Sequence, residues 1–173
     1  MSDASGWGDP STRTVEWHDP FIAATAAPTM DGVAFLEAIR DGRLPRPPMA
    51  ALMRFAITEV ERGRVVFECE PDASTYNPIG VVHGGLVCTL CDTVAGCVVQ
   101  STLDAGVLYT SVDLHVNYLR PVTLESGVLR ATGLIVRAGR RVSVASAEVV
   151  DGAGRAVATA LSSCLIIDPS LAA

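Results

Sequence analysis

Gly84-Gly-Leu-Val-Cys-Thr-Leu-Cys-Asp92-Thr-Val-Ala-Gly96-Cys-Val-Val-Gln-Ser-Thr-Leu103 is the stretch on which the fold turns. Apolar residues occur all round its helical projection, and small residues dominate one part of it. Such a pattern predicts one buried helix, on the order of 30 Å long. Before it, Arg54–Val60 and Val65–Glu70 read as two strands joined by the turn Glu61-Arg-Gly-Arg64, and Pro71–Val82 is a loop. After it come four β segments: Val107–Leu119, Val128–Arg137 with Val142–Val150 across the Ala138-Gly139 turn, and Ala156–Ile167 beyond Asp151-Gly-Ala-Gly154. Short turns imply antiparallel pairing. A hairpin, one long buried helix and a meander of strands predict an α+β architecture, an antiparallel sheet wrapped around one long central helix. In the first β segment, alternation places Leu108, Val112, Leu114, Val116 and Tyr118 on one face, with Asp113, His115 and Asn117 on the other.

Upstream, residues 1–30 are rich in Gly, Pro, Ser, Thr and Ala without clear periodicity and read as a loosely ordered N-terminal arm. Residues 31–173 read as a single domain that opens with a short helix, Asp31–Arg40. Val33, Phe35, Leu36 and Ile39 form its apolar stripe and Asp31 its N-cap. Leu44-Pro-Arg-Pro-Pro48 then breaks it.

The 173 residues are 49% hydrophobic and 18% charged, which excludes extended disorder and calls for a large core. So little charge also points to surface hidden in a homo-oligomer. All 13 basic residues are arginine, and 19 acids leave a net charge of -6. That balance argues against a general nucleic-acid binder and against attraction to an anionic membrane. No positive n-region followed by an apolar segment opens the chain, so no secretory signal is read. The longest uncharged stretch, Ala73–Cys91, contains Asn77, Pro78 and His83 and does not read as a membrane span. Five cysteines, an odd number spread over apolar segments, suit a reduced, cytoplasmic chain. Cys88-x-x-Cys91 lacks the second pair of a zinc site, and His18 and His115 lack partners at ligand spacing, so no metal site is expected.

Between Ala73 and Leu103 the only Asp, Glu, Lys or Arg is Asp92. Its helical neighbours are Gly85, Cys88, Thr89 and Gly96. A carboxylate buried there costs several kcal/mol unless it is paired, hydrated or protonated. It therefore faces a polar groove, caps a turn or does chemistry. Ahead of it, Asn77-Pro-Ile-Gly80-Val-Val-His83-Gly84-Gly85 leads into the helix. Two glycines at a helix N-terminus leave the backbone open to close approach, and the free N–H groups could stabilise a developing oxyanion. Asp92 lies eight residues after Gly84, about 12 Å by rise, so a second subunit is needed to bring the two together.

Asn77-x-x-Gly80-x-x-His83-Gly84-Gly85, then Asp92, then Ser111-Val-Asp-Leu-His-Val-Asn-Tyr-Leu-Arg-Pro121 resembles the hotdog-fold acyl-CoA thioesterases of the phenylacetate-pathway (PaaI-like) type. The resemblance covers roughly residues 50–167. It implies a hotdog fold, a homodimer or a dimer of dimers, and hydrolysis of an acyl-CoA with coenzyme A as part of the substrate and no separate cofactor. Carried over by position, Asp92 is the nucleophile or the general base on water. The Gly84 N–H, with Gly85 beside it, polarises the thioester carbonyl of the opposite subunit. Asn77 orients water or thioester, His83 supports the loop, and Ser111 helps position water. Gly96 departs from relatives that carry a hydroxyl one turn after the acid, and the arm has no counterpart. Arg137-Ala-Gly139-Arg140-Arg141 and Arg120 fall in the one net-positive stretch, residues 107–173, with six arginines against five acids. The resemblance assigns them to coenzyme A phosphates, which suit guanidinium forks. Two other readings share the fold: a non-catalytic acyl-CoA-binding module, and a hydratase or dehydratase. The latter pairs a histidine with the helix acid, where this chain has Cys97 five residues on.

Overall fold

A computed structural model describes residues 6–169. Ten regular elements follow in order: α1 Pro20–Ala26, α2 Gly32–Arg40, α3 Pro48–Met53, β1 Phe55–Glu61, β2 Arg64–Cys69, α4 Gly84–Gln100, β3 Leu108–Tyr118, β4 Leu129–Arg137, β5 Val142–Val150 and β6 Ala156–Ile167. The strands form one antiparallel sheet in the order β1-β2-β4-β5-β6-β3. β3 follows α4 in the chain yet sits at the far edge of the sheet, paired only with β6. The architecture is the expected α+β hotdog.

Helix α4 lies across the inner face of the sheet. Leu86, Val87, Leu90, Cys91, Val94, Val98 and Val99 are buried against Val65, Phe67, Leu129, Ala131, Ala145 and Val149. Close approach is needed at Gly133 of β4, where an added Cβ would stand 2.8 Å from the Val94 carbonyl oxygen. Phe55 and Phe67 stack edge to face at 5.8 Å between centroids. The expected Asp31 cap forms, with the Ala34 N–H donating to Asp31 Oδ1 at 3.0 Å, and His83 caps α4, its Nδ1 accepting from the Gly85 N–H at 2.8 Å.

Three expectations change. The stretch read as an arm without regular structure holds α1, started by the Asp19 side chain and Pro20, while residues 1–5 lie outside the described residues. The chain there is tied down: Arg13 pairs with Asp72 at 2.8 Å and donates to the Leu52 carbonyl at 2.7 Å. α2 already ends at Arg40, capped by Asp41. The prolines expected to break it instead begin α3, with Pro48 in its first turn and Arg54 closing it at φ 57°. Finally, a register shift between Ser111 and Asp113 breaks the alternation of β3. Val112 is the extra residue and is 59% exposed. Leu108 and Val112 therefore lie on the outer face with Asp113 and His115, while Tyr109, Ser111, Leu114, Val116 and Tyr118 face α4.

The outer face divides in two. Over β1, β2 and the start of β4 it carries an ion-pair network in which Glu59 binds Arg64 and Arg130, and Arg130 also binds Glu68. Over β3, β6, β5 and the end of β4 it carries Leu108, Leu161, Leu165, Ile167, Val142, Leu134 and Val136, each 39–60% exposed. Among the described residues no helix is long and apolar enough to cross a membrane.

Candidate active site

Asp92 projects from the face of α4 that looks toward β3. Because β3 is an edge strand, that face is not sealed, and Asp92 is exposed on the single chain rather than buried as the sequence suggested. Its carboxylate accepts from the Ser111 hydroxyl at 3.3 Å. Helix acid and strand serine, 19 residues apart in sequence, thus meet. Cys91 and Cys97 flank the acid on α4, and burial pushes both thiols up to about 12. They stay protonated at neutral pH and are not thiolate nucleophiles.

The helix N-terminus is built by the preceding loop. Asn77 Oδ1 accepts from the N–H groups of Ile79 and Val81 at 3.1 and 3.2 Å, a local turn closed by a bridge between Tyr76 and Val82. The side-chain oxygen of Asn77 therefore shapes the loop. His83 caps the helix with Nδ1, which leaves the proton of the neutral ring on Nε2. Its bond takes up the Gly85 N–H. The Gly84 N–H has no hydrogen-bond partner among the described residues.

Two tyrosines to which the sequence assigned no site role complete the surroundings. Tyr118 donates to the Gly84 carbonyl at 3.0 Å, and its ring stands 3.2 Å from where a Gly84 Cβ would be. A Gly85 Cβ would meet the His83 ring at 2.8 Å. The two glycines thus make room for this chain's own rings as well as leaving the backbone bare. Tyr109 occupies the space of a side chain at Gly96: an added Cβ there would lie 2.5 Å from its hydroxyl. Burial, with Cys97, Cys164 and Asp92 adding to it, pushes the Tyr109 phenol well above its ordinary range. Period-two spacing from Ser111 was the signal available for Tyr109.

The arginines separate into two places. Arg137, Gly139, Arg140 and Arg141 form the β4–β5 turn, at the end of the sheet where β3 begins; the Ile166 N–H, opposite Tyr109, donates to the Arg141 carbonyl. The Gly139 N–H is held by Ser143 Oγ at 3.2 Å, and the three guanidinium groups make no ion pair among the described residues. Arg120 sits at the other end, beyond Tyr118, donating to the Ala156 carbonyl at 2.7 Å. With Thr123, Glu125, Asp151 and Arg155 it borders a cavity of about 310 Å³. Among the described residues no three His, Cys, Asp or Glu side chains group as metal ligands.

Residues 79–158, which run from the glycine loop into β6, match the thioesterase superfamily. Acyl-coenzyme A thioesterase 13 of Homo sapiens is 26% identical over 102 residues, 59% of this chain and 71% of that protein. A phenylacetic acid degradation-related protein of Ralstonia eutropha shares the fold with a TM-score of 0.69 at 28% identity, covering 75% of this chain and 98% of that one. A Streptococcus mutans protein solved bound to acetyl CoA is 30% identical with a TM-score of 0.61, covering 66% of this chain and 89% of that one. The matched stretch spans from 50% to 80% of the length of the curated relatives. The chain belongs to the thioesterase superfamily of hotdog folds, and within it the likeness extends to the phenylacetate-type proteins.

Proposed function

We propose that the protein hydrolyses an acyl-CoA thioester to the free acid and coenzyme A, in a site shared by two copies of the chain. The observation that carries this reading is Asp92, the single charge of its window, held by Ser111 beside an unpaired sheet edge. Gly84 of the same helix is about 12 Å away by rise, too far to serve the same carbonyl. Antiparallel pairing of two β3 edges about a two-fold reverses one chain against the other. The Tyr118–Gly84 end of one copy then lies beside the Ser111–Asp92 stretch of the other. The same reversal brings Arg120 of the partner subunit to the end that carries Arg137, Arg140 and Arg141, where coenzyme A phosphates would bind.

In this site Asp92 acts as general base. A water oxygen attacks the thioester carbon as Asp92 takes its proton, and the carbonyl oxygen gathers negative charge against the Gly84 N–H of the partner subunit. The C–S bond then breaks, and the thiolate of coenzyme A takes up the proton. The apolar half of the outer face offers a second surface, on which two such dimers would pack.

A panel of acyl-CoAs, followed by release of free thiol, tests the reading with Asp92→Asn and Asp92→Ala alongside. The wild type should turn over at least one, and both variants should fall by about 10²–10⁴-fold. No thiol from any acyl-CoA, or full rates in both variants, would sink it. Binding without turnover would favour a non-catalytic acyl-CoA module.

A further inference from the structure

We propose that Tyr109 is the second water-holding group of the Asp92 site, its hydroxyl standing over Gly96 and fixing the attacking water from the side opposite Ser111. This rests on the reading of Asp92 as general base. The first support is shape. A Cβ at position 96 would lie 2.5 Å from the Tyr109 hydroxyl and 3.1 and 3.2 Å from two ring atoms, so the phenol fills the place of a helix side chain.

The second support is position. Residues four apart on a helix have Cβ atoms about 5–6 Å from each other, so the hydroxyl stands one turn from Asp92 on the same face. Two hydrogen bonds through one water span a gap of that order. Ser111, two residues along the inner face of β3, already holds the Asp92 carboxylate at 3.3 Å. Serine, aspartate and tyrosine thus border one space between α4 and β3.

The third support is an unmet hydrogen bond. The Tyr109 ring packs against the core, yet its hydroxyl has no partner among the described residues. It is not sealed in either, since no side-chain polar atom is left both buried and unpaired. A hydroxyl so placed takes its partner from outside the chain. Burial keeps the phenol protonated through neutral pH, so it donates.

Tyr109→Phe removes one oxygen and keeps the ring. The expected result with an acyl-CoA that the wild type hydrolyses is a fall in kcat of about tenfold, the worth of one hydrogen bond, with KM unchanged within about twofold. Tyr109→Leu should lose at least as much, and adding Gly96→Ser should return part of the kcat by moving the hydroxyl onto the helix. Unchanged kcat in Tyr109→Phe would overturn the role. A readout free of turnover is a high-resolution crystal structure of the wild type and Tyr109→Phe. A water bonded to both Tyr109 and Asp92, present in the first and lost in the second, supports the proposal; a water unaffected by the substitution, or none there, refutes it. If the wild type hydrolyses nothing, the thioesterase reading fails while the crystallographic comparison still decides Tyr109.

Discussion

Gly96→Ala puts the Tyr109 contact to a quantitative test. In mid-helix, replacing glycine by alanine stabilises by about 0.5–1 kcal/mol through backbone entropy. Here the new methyl would meet the Tyr109 hydroxyl at 2.5 Å and ring atoms at 3.1 and 3.2 Å. The ring is held between α4 and β6, beside Cys97 and Cys164, and has little room to give. Overpacking of this kind costs about 1–3 kcal/mol, so the net effect in the wild type is a loss of up to about 2.5 kcal/mol. In a Tyr109→Leu background the obstacle is gone, and the same substitution should be neutral or stabilising by up to about 1 kcal/mol. The double-mutant cycle then carries a coupling of about 1–3 kcal/mol. Urea unfolding of the four proteins by circular dichroism, with midpoints compared at a common slope, measures it. Additive effects, or a Gly96→Ala protein more stable than wild type, would refute the packing of Tyr109 over Gly96.

Arg140→Ala should raise KM for acyl-CoA and leave kcat unchanged if its guanidinium holds coenzyme phosphates by uniform binding; steady-state kinetics with varied acyl-CoA check this. Sedimentation should show the 18.1 kDa chain as a dimer at least, and Leu165→Lys on the outer face should remove any larger species while leaving the dimer active. An active monomer would contradict the shared site. Asp72 links Arg13 and Arg54, and its carboxyl is lowered to about 2, first by the Ser74 hydroxyl and then by Arg13. A carboxyl lower in the folded than in the unfolded chain adds stability above its ordinary value near pH 4, and that stability is lost as pH falls toward 2. Thermal melts between pH 5 and 2 should show this slope in the wild type and a flatter one in Asp72→Asn.

Much of the architecture was legible. The Asp31 cap, the hairpin, the length of α4 and the meander all follow from spacing and turn residues, and the motif singled out both Asp92 and Ser111. The β3 bulge was not, because aliphatic residues occur on both faces of that strand. Leu108 and Val112 belong to a half of the outer face that is itself apolar, so hydropathy could not tell the faces apart. The burial of Asp92 was misjudged for a related reason. An acid in an apolar helix looks buried until the sheet order reveals that only an edge strand stands beside it. Tyr109 escaped notice because helical neighbours of Asp92 were sought along α4, whereas the group over Gly96 comes from β3. The separation of Arg120 from the β4–β5 turn is a matter of strand direction, which charge counts along the chain do not encode.

The place of β3 at the sheet edge has a bearing on how the molecule is made. Its partner, β6, is synthesised after every other strand of the sheet, and Ser111 lies opposite Cys164. A nascent chain emerging at about 5–20 residues per second thus carries Asp92 and Ser111 for several seconds before β6 exists to hold β3 in register. Until then the strand that would join two copies has no fixed edge to offer. In the proposed dimer, assembly would wait on completion of the fold: a chain that stops short of β6 would lack the strand that holds β3 in register.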